Sequence, residues 1–370
     1  MTSEPNSVTR RTRSAPHAIA AEASRFIVGP FFDHFFFIWS PVMFLTIGAA
    51  IDASGMAQYK VAVAGRQLVL FPVLAVTLAT GHLLAVLFRT HLNSTMRRQY
   101  PIRLLVVPPL VFLLMQLSAR FLILLAIFLV WLDVWHSSMQ TFGLGRLYDM
   151  RRGNEARIGR NLDLGLALFV YAGPIVGGAS LATHLEKFSW FGRIGIEPLA
   201  ALPIWTVRHG SELSATVAVA GLTYAGFYAF KMRRYSKLGY KVSVEKILLY
   251  LSLTVTSVWT WGFDSFGQAF LIMQGFHALQ YYAIIGWSES DNLTRTLRLD
   301  RLSGGRVLAM LVVVVSTLSV GFWAAAWADS LVAATLILLV QFCHFWWDGF
   351  IWSVQKRATH FPAALACQRT

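Results

Sequence analysis

Five histidines, His34, His82, His136, His277 and His344, fall inside apolar runs of the 370-residue chain, one to a run, and His91 stands at the end of the run that holds His82. An ionisable side chain at the centre of a bilayer-spanning helix costs about 2.5–3.5 kcal/mol on insertion scales, so each needs a reason. One buried histidine is explained as readily by a hydrogen bond to a neighbouring helix as by chemistry. Several at a common depth are better explained as metal ligands, the commonest role of imidazole.

The neighbours of these histidines sharpen the reading, because a ligating imidazole usually donates its second N–H to a carboxylate, amide or carbonyl. Asp133, His136 and Gln140 share one helical face at i, i+3 and i+7, and Gln341, His344 and Asp348 repeat that spacing. Gln274, His277, Gln280 and Tyr281 lie on one side of another run, and Asp33 adjoins His34. The expected metal ligands are therefore His82, His136, His277 and His344, with His34 as a fifth. His91 joins them only if its helix ends first. Asp133 and Asp348 are expected as ligands or as the carboxylates beside them, and Gln140, Gln280 and Tyr281 as groups that orient ligands or a bound oxygen species. Imidazole and carboxylate donors suit iron, copper, zinc or manganese, and a His-rich set with open positions is characteristic of non-heme iron that activates dioxygen. A structural zinc site needs only four ligands and no vacancy. One metal ion and two remain equally open.

The elements that must position these residues are membrane helices. The chain is 56% apolar and 14% charged, against roughly 25% charged in an ordinary soluble domain. A bilayer core takes about 20 mostly apolar residues per helix, and the runs 31–51, 68–90, 102–119, 120–142, 162–183, 212–231, 243–263, 264–287, 306–327 and 330–353 are candidates. The expected fold is an all-α, polytopic helix bundle of about ten spans. The third and fourth spans, and the seventh and eighth, abut as tight hairpins. The stretch from Ile194 to Trp205, broken by Pro198 and Pro203, is too short to cross and reads as interfacial or re-entrant.

Charge sets the orientation. Ten spans put alternate loops on opposite sides, and 26 of the 32 Lys and Arg residues then fall on the side of the termini. By the positive-inside rule both termini are cytoplasmic. The formal charge of +14 is thus a topological signal that also suits anionic lipid head groups, and it does not imply nucleic acid. The expected organisation is a basic cytoplasmic tail at 1–25, a transmembrane domain at 26–355 and a cytoplasmic tail at 356–370, in a bacterial inner membrane. Spans two, four, eight and ten run inward, which sets their histidines roughly 9–15 Å from the inner end at 1.5 Å per residue. His34, one turn into the first span, falls at a similar depth.

Other features read as structure. The 13 Trp, 27 Phe and 11 Tyr residues suit interface belts and packing, and Gly143-x-Gly145 before Arg146 and Asp149 marks a helix end. Cys343 and Cys367 form no metal motif, and no Walker loop or GxSxG elbow occurs.

Single histidines dispersed over several membrane helices, together with the segment Trp135-His136-Ser137, resemble the bacterial membrane β-carotene dioxygenases of the bacteriorhodopsin-related-protein family. That resemblance implies a polytopic iron enzyme that uses O2 on a lipophilic substrate. The HxxxH and HxxHH boxes of membrane fatty-acid desaturases and hydroxylases are lacking. A membrane oxygenase or oxidoreductase acting on a lipid substrate is the leading expectation. A heme-binding membrane protein and a proton- or metal-coupled transporter are the alternatives.

Overall fold

The computed structural model describes residues 25–63, 65–327 and 330–352, so the tails at 1–24 and 353–370, including Cys367, lie outside the described residues. The fold is an all-α helix bundle. Its principal helices are α1 (Ser40–Ala53), α2 (Leu70–Thr90), α3 (Val107–Leu117), α4 (Ala119–Arg151), α5 (Arg160–Gly177), α6 (Gly210–Lys237), α7 (Val244–Phe263), α8 (Phe266–Thr296), α9 (Gly305–Ala326) and α10 (Leu331–Ile351).

Among the described residues, five helices are long and apolar enough to cross a membrane: α2, α4, α6, α9 and α10. Two bent pairs raise the number to seven: Pro30–Ile38 with α1 at 52°, and α5 with Leu181–Ile194 at 104°. α7 and α8 have the length but carry many polar side chains, among them Ser252, Thr256, Ser257, Gln274 and His277, all buried inside the bundle.

The sequence explains where helices stop. Ser118 has extended backbone between α3 and α4, and its hydroxyl accepts the Phe121 N–H at 3.2 Å, an N-cap bond. Asp264 and Ser265 are likewise extended between α7 and α8. Both hairpin breaks fall where the apolar runs abut. The expected fifth span is shorter than 162–183, because at Gly178 the chain presses on the Pro174 and Trp261 carbonyl oxygens, each 2.3 Å from where a β-carbon would stand. The next helical segment turns aside there. The Ile194 to Trp205 stretch forms the short helices Glu197–Ala200 and Leu202–Arg208, with Ile204 and Trp205 exposed.

Two elements depart from the expectation. Residues Lys60–Val63 (β1) and Arg66–Val69 (β2) form an antiparallel hairpin, pairing Lys60 with Val69 and Val63 with Arg66. Gly65 supplies the positive φ (+78°) that its turn requires. Arg66 donates to the Ala326 carbonyl oxygen at 2.9 Å, closing the end of α9. Second, α4 continues to Arg151 instead of stopping near 142.

That extension is held by charge. Lys246 on α7 and Arg146 on α4 both bind Asp149 and Asp163. Lys246 Nζ lies 2.7 Å from Asp149 and 3.2 Å from Asp163, and Arg146 lies 2.8 and 2.6 Å from them. Two cations against two anions make the cluster neutral, which is how fully buried charges are tolerated.

Close backbone contact positions α2. A β-carbon on Gly321 of α9 would lie 2.4 Å from the Thr77 carbonyl oxygen and 3.0 Å from the Gly81 nitrogen, so only glycine permits this approach. Gly81 immediately precedes His82. Across the bundle, the Phe44 ring fills the space over Gly275 of α8, beside Gln274. Tyr282 and Thr317 hydroxyls meet at 2.7 Å between α8 and α9.

Candidate metal centre

His82 (α2), His277 (α8), His136 (α4) and His344 (α10) form a closed ring of imidazoles. Successive centroids are 5.0 Å apart for His82–His277, 5.2 Å for His277–His136, 4.8 Å for His136–His344 and 5.1 Å for His344–His82, and each pair is steeply inclined at 70–87°. All four are buried.

Within the ring, His136 Nε2 and His344 Nε2 are 3.2 Å apart. Asp348 Oδ2 lies 3.8 Å from the first and 3.6 Å from the second, so three ligand atoms surround one point. Two imidazole nitrogens bound to one ion at about 2.0–2.1 Å, at angles between 90° and tetrahedral, stand roughly 2.9–3.4 Å apart. The observed separation falls within that range.

Tautomers can be read from the remaining contacts. His344 Nδ1 lies 3.0 Å from the Leu83 carbonyl oxygen, so its proton is there and Nε2 offers a lone pair to the centre. His82 Nδ1 lies 3.3 Å from the Leu78 carbonyl oxygen, and His82 Nε2 has no hydrogen-bond partner among the described residues. Both ring nitrogens of His277 are likewise without one among the described residues. Leaving a buried polar atom unsatisfied costs about 1–3 kcal/mol. Nitrogens left over around a 2-His-1-carboxylate set fit a metal ion.

The other expected residues are distributed as follows. The Tyr281 ring lies 4.7 Å from that of His344, and its hydroxyl donates to Asp348 Oδ1 at 3.0 Å. Asp133 sits about one turn before His136 on α4 and accepts from Gln274 at 3.0 Å. Gln140 donates to Gln280 Oε1 at 2.9 Å and to the His277 carbonyl oxygen at 3.3 Å, while Gln280 donates to the Phe37 carbonyl oxygen at 2.9 Å. Helices α4 and α8 are therefore joined by three rungs: Asp133–Gln274, His136–His277 and Gln140–Gln280. The two glutamines hold backbone and each other.

His34 and His91 are not brought into the ring. His34 belongs to the π-helical turn Asp33–Ile38 and packs on Phe26 at 5.6 Å, because Asp33 points inward to accept the N–H groups of Ile27, Val28 and Gly29. The helix does end before His91, but the imidazole turns to the Leu104 carbonyl oxygen at 3.3 Å and packs on Trp347.

Arg89 and Glu289 were not connected with the site from the sequence, and Trp352, at the end of the His344–Asp348 stripe, was read as packing. Trp352 donates to Asp348 Oδ1 at 3.1 Å, the Arg89 guanidinium stacks on the Trp352 ring at 4.1 Å, and Arg89 is paired with Glu289. The signal was present: Arg89 is seven residues, about two turns, from His82 on the same face. No family model, curated protein or solved structure matches the chain, so the centre is defined by its own geometry.

Proposed function

We propose that this chain is an integral-membrane, metal-dependent oxidoreductase that uses dioxygen on a lipophilic substrate entering from the bilayer. The observation that carries this reading is the convergence of the enclosed side chains His136, His344 and Asp348 from α4 and α10, with nitrogens of His82 and His277 that have no partner among the described residues beside them. Iron is the occupant favoured by a 2-His-1-carboxylate set with further positions open, and copper, zinc and manganese are the other candidates. The likeness of Trp135-His136-Ser137 and the dispersed histidines to carotenoid-cleaving membrane dioxygenases supports a lipid-soluble substrate. The same reading takes the ten apolar runs of the sequence as spans of a bacterial inner membrane, with both termini cytoplasmic, on the strength of the basic-residue asymmetry.

Bound iron would supply the redox steps through which dioxygen reacts with a closed-shell lipid. The protein's own residues hold the rest. Leu83 and Leu78 carbonyls fix the His344 and His82 tautomers, Tyr281 holds its proton on Asp348 Oδ1, and Gln140 anchors the backbone at His277.

The test is elemental analysis of protein purified from cells without added metal. The expected result is a stoichiometric transition metal that is lost in His136→Ala and His344→Ala. Absence of metal from the wild type, or unchanged content in both variants, overturns the proposal.

A further inference from the structure

We infer that Arg89, acting through Trp352, is a positioning residue that confines Asp348 to binding a metal through Oδ2 alone. This rests on the metal reading above.

Asp348 has two unlike oxygens. Oδ2 faces the Nε2 atoms of His136 and His344. Oδ1 accepts two hydrogen bonds, from the Tyr281 hydroxyl at 3.0 Å and from Trp352 Nε1 at 3.1 Å. Two donors use the lone pairs of that oxygen, and only Oδ2 remains for an ion. A carboxylate that binds through one oxygen leaves an additional coordination position for an exogenous ligand such as dioxygen.

Trp352 needs help to do this, because it lies one residue beyond the last turn of α10, where a helix end is otherwise free to fray. Arg89 supplies the help twice. Its guanidinium covers the indole face at 4.1 Å, and its NH2 group donates to the Ile351 carbonyl oxygen at 3.1 Å, one of the groups a helix C-terminus leaves unsatisfied. Glu289 pins Arg89 from α8, and Asn93 and Asn292 donate to Glu289 at 3.0 and 3.3 Å. Arg89 shares α2 with His82, Glu289 shares α8 with His277 and Tyr281, and Ile351 shares α10 with His344 and Asp348. The latch therefore fastens three ligand-bearing helices at one point. Burying an ion pair is costly, and a role in setting the carboxylate accounts for placing one here.

The experiment titrates full-length, metal-stripped protein in lipid nanodiscs with Co(II) and follows its visible spectrum, which reports coordination number. Trp352→Phe keeps a ring under Arg89 and deletes only the N–H, while Arg89→Met removes the cation and its hydrogen bonds. Both are expected to raise the Co(II) Kd by about 10–100-fold, the range for losing a group that orients a metal ligand, and to weaken the visible bands as Oδ1 becomes a second ligand. Arg89→Lys, which keeps the charge without the planar stack, is expected to recover only part of the spectrum. Wild-type spectra and affinity in both Trp352→Phe and Arg89→Met overturn the positioning role alone. Failure of the wild type to take up Co(II) overturns the metal reading on which it depends.

Discussion

His136 Nε2 and His344 Nε2 face each other at 3.2 Å, with Asp348 Oδ2 within 4 Å of both. Because His344 Nδ1 holds its proton on Leu83, the meeting of these two nitrogens needs either a shared proton or a cation between them. His82 and His277 are close enough to act with the pair, whereas His34 packs on Phe26 and His91 turns to Leu104, both outside the ring. Single alanine variants should therefore divide sharply. Metal content should fall in His82→Ala and His277→Ala and stay at the wild-type level in His34→Ala and His91→Ala. Equal loss in all four would show a response to misfolding instead.

A porphyrin needs a flat slot between its axial ligands. The imidazole ring closes to 4.8–5.2 Å between centroids, with Phe345 at 4.7 Å from His136 and Tyr281 at 4.7 Å from His344 filling the flanks. The detergent-solubilised protein is expected to show no Soret band. A Soret band in proportion to protein would favour the heme-binding reading.

Gly321 and Gly81 bring α2 and α9 to backbone contact. Gly321→Ala should destabilise by about 1–3 kcal/mol, as overpacking does. Gly226→Ala on α6, where an added β-carbon meets nothing within 4 Å among the described residues, should be neutral or slightly stabilising. Thermal unfolding in detergent compares the two, and equal melting temperatures would contradict the packing argument.

Lys246 is 1% exposed, and its removal leaves Asp149 and Asp163 with Arg146 as their one remaining cation among the described residues. Breaking a buried network from one side costs about 3–5 kcal/mol, so Lys246→Met should lower stability by that order. The double change Lys246→Met with Asp149→Asn restores neutrality and should recover part of the loss. Denaturant unfolding measures both.

Burial depresses the pKa of His91 below its ordinary value, with Arg97 adding to the shift. The unfolded chain then binds more protons than the folded one, so stability rises with pH through the histidine range and is lost as pH falls below the unfolded pKa of about 6.5. His91→Gln should flatten this slope between about pH 7 and pH 5. An unchanged slope would assign the acid sensitivity to other groups.

The four ring histidines were legible because an imidazole in an apolar run stands out and because each stands in a different run. Asp348 and Tyr281 were legible by helical spacing from His344 and His277. Spacing could not tell that Asp133 would pair with Gln274, or that Gln140 and Gln280 would spend their amides on each other and on backbone, since both outcomes depend on which helix stands opposite. His34 was misjudged because a π-helical turn rotates it away once Asp33 caps the entering chain. Arg89 and Lys246 were read as orientation signals. Their buried partners, Glu289, Asp149 and Asp163, lie on other helices, and pairing across such sequence distances leaves no mark on a single chain.

The imidazole ring draws one member from each of α2, α4, α8 and α10, so the centre cannot exist until the last helix has joined the bundle. Partly inserted chains offer a metal ion isolated histidines at most. An ion that binds only the finished arrangement adds its binding free energy to that arrangement alone. Metal capture would then act as a completion signal, separating chains that have finished assembling in the bilayer from those still awaiting α10.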